Sequence, residues 1–225
     1  MKINQSKIKP HLLRNLLILI LFIPTQITYA QSNEVLKKDV ETDSITAISY
    51  YDKGVSKAKL KDFHGAIIDY TKAISLNPKY AESYNNRGYA KRKSKDLDGA
   101  ILDFTKAIEL KPNYIYAYFN RGNTKADLED FDGAIWDYTK AIELNPNNAD
   151  VYYNRGISKR ELEDLNGAIW DYTKAIELNP NYVNAYYNRG LAKYYLDDNS
   201  GACEDARKAK KLGYDASNFI NAECN

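Results

Sequence analysis

A repeat of 34 residues constrains this chain more than any other feature. Residues 131–146 read FDGAIWDYTKAIELNP and residues 165–180 read LNGAIWDYTKAIELNP, so fourteen of sixteen letters agree. A fixed period of this length is typical of solenoids, in which each unit packs only against its neighbours. The same period extends over five units, which cover residues 47–80, 81–114, 115–148, 149–182 and 183–214.

Each unit contains two predicted helices, and we number its positions 1 to 34. In the second half, small and apolar residues at positions 20, 21, 24, 27 and 28 form one stripe of a helix. Positions 2 to 14 form the first helix. We expect the residue at position 18 to cap the second helix, as Asp98, Asp132 and Asn166. Proline at position 32 ends that helix in four units, as Pro78, Pro112, Pro146 and Pro180.

The recurring small and large residues resemble the tetratricopeptide repeat over residues 47–214. In the third unit they are Tyr118, Gly122, Ala134, Tyr138, Ala141 and Pro146. The resemblance implies an all-α fold, a right-handed superhelical solenoid of antiparallel helix pairs. The fifth unit is degenerate, with Ala206 at position 24 and Tyr214 at position 32. Residues 215–225 are interpreted as a C-terminal capping helix over 215–222 with a short tail, in which Phe219 and Ile220 dock inward.

The chain departs from the family at position 7, where a basic residue replaces the usual apolar one. An acid stands at position 23 of every unit, and in an antiparallel hairpin the two positions lie at nearly the same level. We therefore expect an ion pair inside each unit, with a structural role. The expected pairs are Arg87–Asp103, Arg121–Asp137, Arg155–Asp171 and Arg189–Asp205.

The first 30 residues have the pattern of a secretory signal peptide. Four basic residues precede the apolar run at 16–23, and small residues lead to Ala30. The run is shorter than the roughly 20 residues that span a bilayer. We predict cleavage after Ala30 and export to the periplasm or the cell exterior, with no membrane span left. The alternative is an uncleaved anchor. Residues 31–46 are interpreted as a flexible lead or a brief extra turn.

Charge and cysteine content narrow the function classes. The segment 1–30 holds four of the 32 basic residues and none of the 30 acids, so 28 − 30 leaves a net charge of −2. A near-neutral protein has no electrostatic case for nucleic acid. Cys203 and Cys224 would close a disulfide in an oxidising compartment; the alternative is two buried thiols.

The sequence gives no support for an enzyme. His64 is the one histidine after residue 30, and no cysteine or carboxylate lies at ligand spacing from it. The sequence contains no phosphate loop and no nucleophile elbow. We therefore predict no catalytic residue, no metal and no cofactor.

By resemblance to the family, the first helices line a concave groove with their positions 2, 5, 6, 9, 12 and 13, and this groove binds an extended partner segment. Position 6 carries four asparagines in succession, the asparagine ladder, and position 5 adds aromatic rings. The partner-binding candidates are Asn86, Asn120, Asn154, Asn188, Tyr51, Phe119, Tyr153 and Tyr187. The alternative is that the asparagines solvate the groove or bond to a neighbouring helix. The basic clamp of chaperone-binding members is missing, because Tyr51, Val55 and Tyr116 occupy its places.

A second surface lies at position 22, which points away from the buried stripe on a helical wheel. It carries an apolar outer strip of Ile68, Leu102, Trp136 and Trp170. One interpretation is a face for docking or self-association; the other is that each ring covers side chains of the neighbouring unit. The leading hypothesis is a non-catalytic adaptor for an unidentified protein or peptide. Alternatives are a self-associating assembly component and a glycan-binding module that uses the groove tyrosines.

Overall fold

The computed structural model describes residues 42–224, and within that range the chain forms eleven helices and no strand. The predicted all-α solenoid of antiparallel helix pairs is confirmed. Helix α1 covers residues 42–59, so residues 42–46 of the expected lead are helical, and the signal segment lies outside the described residues. The other helices are α2 Phe63–Leu76, α3 Ala81–Lys93, α4 Leu97–Leu110, α5 Ile115–Asp127, α6 Phe131–Leu144, α7 Ala149–Glu161, α8 Leu165–Leu178, α9 Val183–Tyr194, α10 Asn199–Lys211 and α11 Ser217–Glu223.

The two helices of a unit are held at close range by glycine at position 8 and an aromatic ring at position 24. A Cβ added to Gly156 would lie 2.8 Å from Cε1 of Tyr172, so any side chain there would push the helices apart. The rings at position 24 are at most 1% exposed and fill the space between the helices. They are Tyr70, Phe104, Tyr138 and Tyr172.

The turn between the two helices corrects the predicted cap. The cap is the aspartate at position 16, two residues before the predicted one: Oδ1 of Asp130 accepts a hydrogen bond from the backbone N–H of Gly133 at 3.0 Å. A Cβ on Gly133 would lie 2.1 Å from Oδ2 of Asp130, which explains the glycine at position 19. The expected cap Asp132 is exposed in the first turn of α6. Asp130 is the cap because helix α6 begins one residue after it, at position 17.

Stacking of the units places the first helices on the inner side of the array. Helix α3 contacts α5, and α5 contacts α7, in addition to the packing of each helix on the next along the chain. Side chains on the first helices of successive units are therefore within reach of each other. This arrangement creates the inner groove that the resemblance implies.

The C-terminal helix α11 packs against α10 and is tied to it by a disulfide between Cys203 and Cys224. The ring of Tyr194 contacts that of Phe219 with centroids 5.5 Å apart, and its hydroxyl donates to Glu223 at 3.0 Å. Phe219 and Ile220 are half-buried. The helix lies within two residues of the span predicted from sequence and covers the end of the last unit.

The cap assignment can be tested with neighbouring aspartates. We expect Asp130→Ala to lower the free energy of unfolding by about 1 kcal/mol, because the first turn of α6 loses its side-chain acceptor. Asp132→Ala, two residues away on the same helix, serves as the control and should change it by less than about 0.5 kcal/mol. Urea denaturation of both variants measures the difference. Equal losses would contradict a cap at position 16.

Candidate functional site

The asparagine ladder is mostly used to join one unit to the unit before it. The side-chain amide of Asn86 donates to the hydroxyl of Tyr51 at 3.0 Å, and that of Asn188 donates to the hydroxyl of Tyr153 at 2.9 Å. The amide of Asn120 donates to Oδ1 of Asn85 at 3.1 Å. In each case position 6 contacts position 5 of the preceding unit. Three of the four asparagines of the ladder therefore have structural partners, as the alternative interpretation holds.

Asn154 is the exception. Position 5 of the preceding unit is Phe119, whose ring offers no acceptor, and the side chain of Asn154 makes no hydrogen bond within residues 42–224. Asn154 is half-buried and so remains within reach of solvent. We call each pair of position 5 and position 6 of the next unit a rung of the ladder. At the rung of Phe119 and Asn154, where the third and fourth units meet, the amide keeps its full hydrogen-bonding capacity.

Phe119 also differs from its counterparts in its ring contacts. Tyr51 packs on Tyr80 with centroids 5.0 Å apart, and Tyr153 packs on Tyr182 at 4.8 Å, with both partners at position 34. In the third unit position 34 is Asn148, so among residues 42–224 the ring of Phe119 contacts only that of Tyr138, at 6.0 Å. In the fifth unit the ring of Tyr187 lies 4.3 Å from that of Tyr214. Aromatic rings therefore line the groove, with the least crowded one beside the unbonded amide.

Tyrosines below the groove remain protonated donors. Burial raises the pKa of the Tyr138 and Tyr172 hydroxyls, because the phenolate would be poorly solvated there. The Tyr138 hydroxyl donates to Oδ1 of Asn123 at 2.8 Å. Ile157 replaces that asparagine in the next unit, and the fully buried Tyr172 hydroxyl has no hydrogen-bond partner in the described part of the chain. A buried unbonded donor of this kind costs about 1–3 kcal/mol of stability.

Two arginines at position 12 bridge units at the base of the groove. Nε of Arg92 lies 2.7 Å from Oδ2 of Asp127, which is at position 13 of the next unit. Arg160 occupies the same place two units later and donates to Asn188 at 2.8 Å. Sequence reasoning placed position 12 in the groove but did not single out either arginine.

The ion pairs expected between positions 7 and 23 are in contact on the outer side of the groove helices. Shortest nitrogen–oxygen distances are 2.6–2.7 Å for Arg87–Asp103, Arg121–Asp137, Arg155–Asp171 and Arg189–Asp205. A lysine at position 11 adds a second cation to each acid. In the fourth unit, Lys159 lies 2.8 Å from Asp171. Each of these four acids is thus the centre of an ion cluster, defined by positions 7, 11 and 23 of one unit. In the first unit the expected pair with position 7 is replaced, because Asp69 pairs with Lys57 at position 11, at 2.6 Å, and Lys53 lies over the ring of Tyr50.

The same arginines also join neighbouring units. A terminal nitrogen of Arg155 donates to the hydroxyl of Thr139 at 3.0 Å, and Thr139 is at position 25 of the preceding unit. Arg87, Arg121 and Arg189 bond in the same way to Thr71, Thr105 and Thr173. Sequence reasoning missed the lysine at position 11 and the threonine at position 25 of the repeat. The signal was present, since that lysine recurs in five units and that threonine in four.

The outer strip is exposed as expected, with exposed fractions of 57%, 71%, 51% and 50% for Ile68, Leu102, Trp136 and Trp170. The interpretation that each tryptophan ring covers side chains of the neighbouring unit is wrong, because the ring contacts are with residues of the same unit. Trp136 lies over its own unit, with Arg121 and Lys125 each 6.0 Å from its ring centroid. Its ring also contacts that of Tyr118 at 6.2 Å. A side chain at position 22 reaches back over positions 4, 7 and 11 of its own hairpin.

Each tryptophan therefore covers an ion cluster. The Asp137 and Asp171 side chains, which lie below tryptophans, are 0% exposed. In the second and fifth units, where position 22 is Leu102 and Glu204, the corresponding acids are 5% and 3% exposed. The arginines follow the same order, at 12% and 11% below tryptophan against 16% in both other units. The rings exclude water from charges that attract each other more strongly when dry.

This covering role predicts a salt-dependent variant. We expect Trp170→Ala to lower the free energy of unfolding by about 2 kcal/mol, from the loss of half a ring's buried area at about 25 cal/mol per Å² and from hydration of the cluster. The loss should grow in high salt, since exposed ion pairs are screened. Leu102→Ala is the control, and its smaller loss should not depend on salt. Denaturation with urea in low and high salt measures both; a salt-independent loss for Trp170→Ala would refute the covering role.

No other chemistry emerges from the described residues. Among residues 42–224, no group of three or more histidine, cysteine and acidic side chains is arranged to hold a metal ion. His64 is exposed in the first turn of α2. None of the helices within that same range is long and apolar enough to cross a membrane.

Comparisons with known proteins agree with this architecture. Family models of the tetratricopeptide repeat match residues 47–80, 81–114, 122–159 and 158–197. No match was found among curated proteins. A crystal structure of MamA protein is 28% identical, covers 74% of this chain and 91% of its own, and has a TM-score of 0.69. A MamA structure from Desulfovibrio magneticus RS-1 is 21% identical with a TM-score of 0.70, and covers 74% of this chain and 94% of its own.

A third solved structure, YrrB, is described as a TPR protein with an unusual peptide-binding site. It is 22% identical, covers 84% of this chain and 97% of its own, and has a TM-score of 0.70. At this identity the likeness concerns the fold alone. The family models, which together match more than half of the chain, and the helix pairs described above agree: the chain belongs to the tetratricopeptide repeat family.

Proposed function

We propose that this protein is a non-catalytic scaffold that binds an extended segment of a partner protein in the groove lined by its first helices. The observation that carries the proposal is the rung formed by Phe119 and Asn154. It combines an aromatic ring with an amide that has no hydrogen-bond partner among the residues that the structure describes. An amide can donate to a carbonyl and accept from an N–H of a peptide backbone at the same time.

The surrounding groove supports binding of an extended chain rather than a small molecule. Tyr116 is 65% exposed at position 2 of the third unit, and Tyr89 is 38% exposed at position 9 of the second. Tyrosine supplies rigid amphipathic contact area with few rotatable bonds, and is enriched at protein interfaces. These rings lie on successive first helices, so the surface runs along the array.

The proposal separates Asn154 from the other asparagines. We expect Asn154→Ala to weaken binding of groove peptides about 10-fold or more, because a backbone hydrogen bond is lost, without lowering the free energy of unfolding. Asn120→Ala should lower that free energy by about 1 kcal/mol, because it breaks an internal bond, and should weaken binding less. Peptides selected from a random-sequence display library on the wild-type protein serve as probes, with calorimetry for affinity and urea denaturation for stability.

Two outcomes of this experiment would count against the groove. Unchanged affinity in Asn154→Ala would remove that residue from the site. Failure of the wild-type protein to select any peptide would remove the proposed function itself.

Self-association through the outer strip is a second candidate. It is favoured by Leu102 and Ile68, which are more than half exposed. The covering role described for the tryptophans does not explain why these two residues are apolar. Leu102→Ser combined with Ile68→Ser tests it. Loss of an oligomer in sedimentation, with peptide binding retained, would support assembly through the strip. A wild-type monomer at high concentration would exclude it.

Export is part of the proposal. The disulfide between Cys203 and Cys224 supports an oxidising compartment, since such bonds are rare in reducing cytosol. The signal pattern of residues 1–30 points to the same destination.

Expression of the full chain in a bacterial host tests export. We expect the mature protein to begin at Gln31 and its two thiols to resist alkylation until a reductant is added. Intact-mass spectrometry after alkylation measures both. A variant with Leu19→Arg in the apolar run is the control, and should remain uncleaved with reactive thiols. Retention of residues 1–30 in the wild-type protein would contradict the proposal.

A further inference from the structure

The repeats allow two places in the groove to be compared within one molecule. At one of them, Arg92 at position 12 of the second unit donates to Asp127 at position 13 of the third unit, at 2.7 Å. At the other, Arg160 at position 12 of the fourth unit has Tyr195 at position 13 of the fifth unit. Both pairs are 35 residues apart in sequence, so they occupy equivalent positions in the array. Tyr195 therefore stands beside Arg160 where the aspartate Asp127 stands beside Arg92.

The guanidinium of Arg160 is consequently only partly satisfied. One terminal nitrogen donates to Asn188 at 2.8 Å and the other to Glu161, the next residue of the same helix. Its Nε, the atom with which Arg92 holds Asp127, has no acceptor within the described part of the chain. The pair with Glu161 is partly exposed, with 28% and 39% of the two side chains accessible. Exposed pairs of this kind contribute about 0–1 kcal/mol, so a better acceptor can displace Glu161.

A cavity stands beside this arginine. It has a volume of about 430 Å³ and is lined by Arg160, Glu163, Leu165 and Tyr195. Tyr195 is 67% exposed and Leu165 is half-buried, so the walls are aromatic and aliphatic while the arginine supplies the cation. Such walls suit the carbon stem of an acidic side chain. Glu163 is a like charge at the same cavity, and it disfavours a second carboxylate there.

From this comparison we propose that the cavity at Arg160 receives an aspartate or glutamate side chain of the extended peptide bound in the groove. The incoming carboxylate takes the role that Asp127 has for Arg92. The chain itself shows that an arginine at position 12 binds a carboxylate presented from the position of residue 13 in the next unit. The inference rests on the proposed groove function and adds to it a charge preference at one end.

The test compares peptides that differ in one carboxylate. Random-sequence display on the wild-type protein should enrich aspartate or glutamate at a fixed distance from the residues that contact Phe119 and Asn154. In synthetic peptides, replacing that acid by its amide should weaken binding about 10-fold, as expected for a charge-assisted hydrogen bond. Tyr195→Asp supplies an internal acid to Arg160, so the acid-to-amide ratio should fall to about one. Tyr195→Asn is the matched control and should keep most of the preference.

A gain-of-function variant tests the same idea at the other place. Asp127→Tyr frees Arg92 and should add a second enriched acid to the selected peptides, because it recreates the arrangement at Arg160. Glu163→Gln should raise the acid-to-amide ratio by removing a like charge. The first effect is read from the selected sequences and the second from an affinity ratio, so modest changes in stability obscure neither.

The outcomes distinguish this inference from the function on which it rests. Selected peptides without an enriched acid, or an enrichment that persists in Tyr195→Asp, would overturn the acidic site and leave groove binding in place. Loss of affinity on amidation of the peptide C-terminus, rather than of the side chain, would overturn the side-chain assignment. If the wild-type protein selects no peptide, groove binding and the acidic site both fail.

Discussion

The buried carboxylate at position 23 is the interaction on which the array depends. Asp137 and Asp171 are fully removed from water, and an isolated charge in such a place would cost several kcal/mol. Two cations of the same hairpin compensate each acid, which fixes the first helix against the second. Because the arginine also bonds a threonine of the preceding unit, the group that orders one hairpin also sets its position on the next.

This cluster also explains the tryptophans that the sequence repeats so closely. A docking face and a cover for charges both require an apolar residue at position 22, and the pattern does not distinguish them. The structure adds an observation in favour of the cover, because the most deeply buried acids lie below the two tryptophans. Half of each ring remains exposed while the other half excludes water from the cluster. The exposed tryptophans at position 22 are thus explained by the buried ion clusters that they cover.

The fold could be predicted from the sequence because the same small and large residues recur in five units, and a single helical period explains them. The site was predictable only in part. The 34-residue period places Asn86, Asn120 and Asn154 at the same position of successive first helices, and the family resemblance implies that this position faces the groove. Neither shows whether Tyr51, Asn85 or Phe119 stands opposite. Hydrogen bonding between units depends on a residue 35 positions away, which periodicity within one unit does not reveal. The cap was misplaced by two residues for a related reason: in the second and third units positions 16 and 18 both carry an aspartate, and only the backbone turn decides between them.

The joint between units has a direction, and the ends of the array follow from it. A joint needs threonine at position 25 of one unit and arginine at position 7 of the next. The first unit has Lys53 at position 7, and the fifth has Arg207 at position 25, so neither end presents the group that an added unit would require. Between those ends the joints are interchangeable, and a duplicated copy of residues 115–148 would find both of its partners. Length can therefore change by insertion in the middle of the chain without loss of an arginine–threonine joint, whereas neither terminal unit offers that joint to an added one.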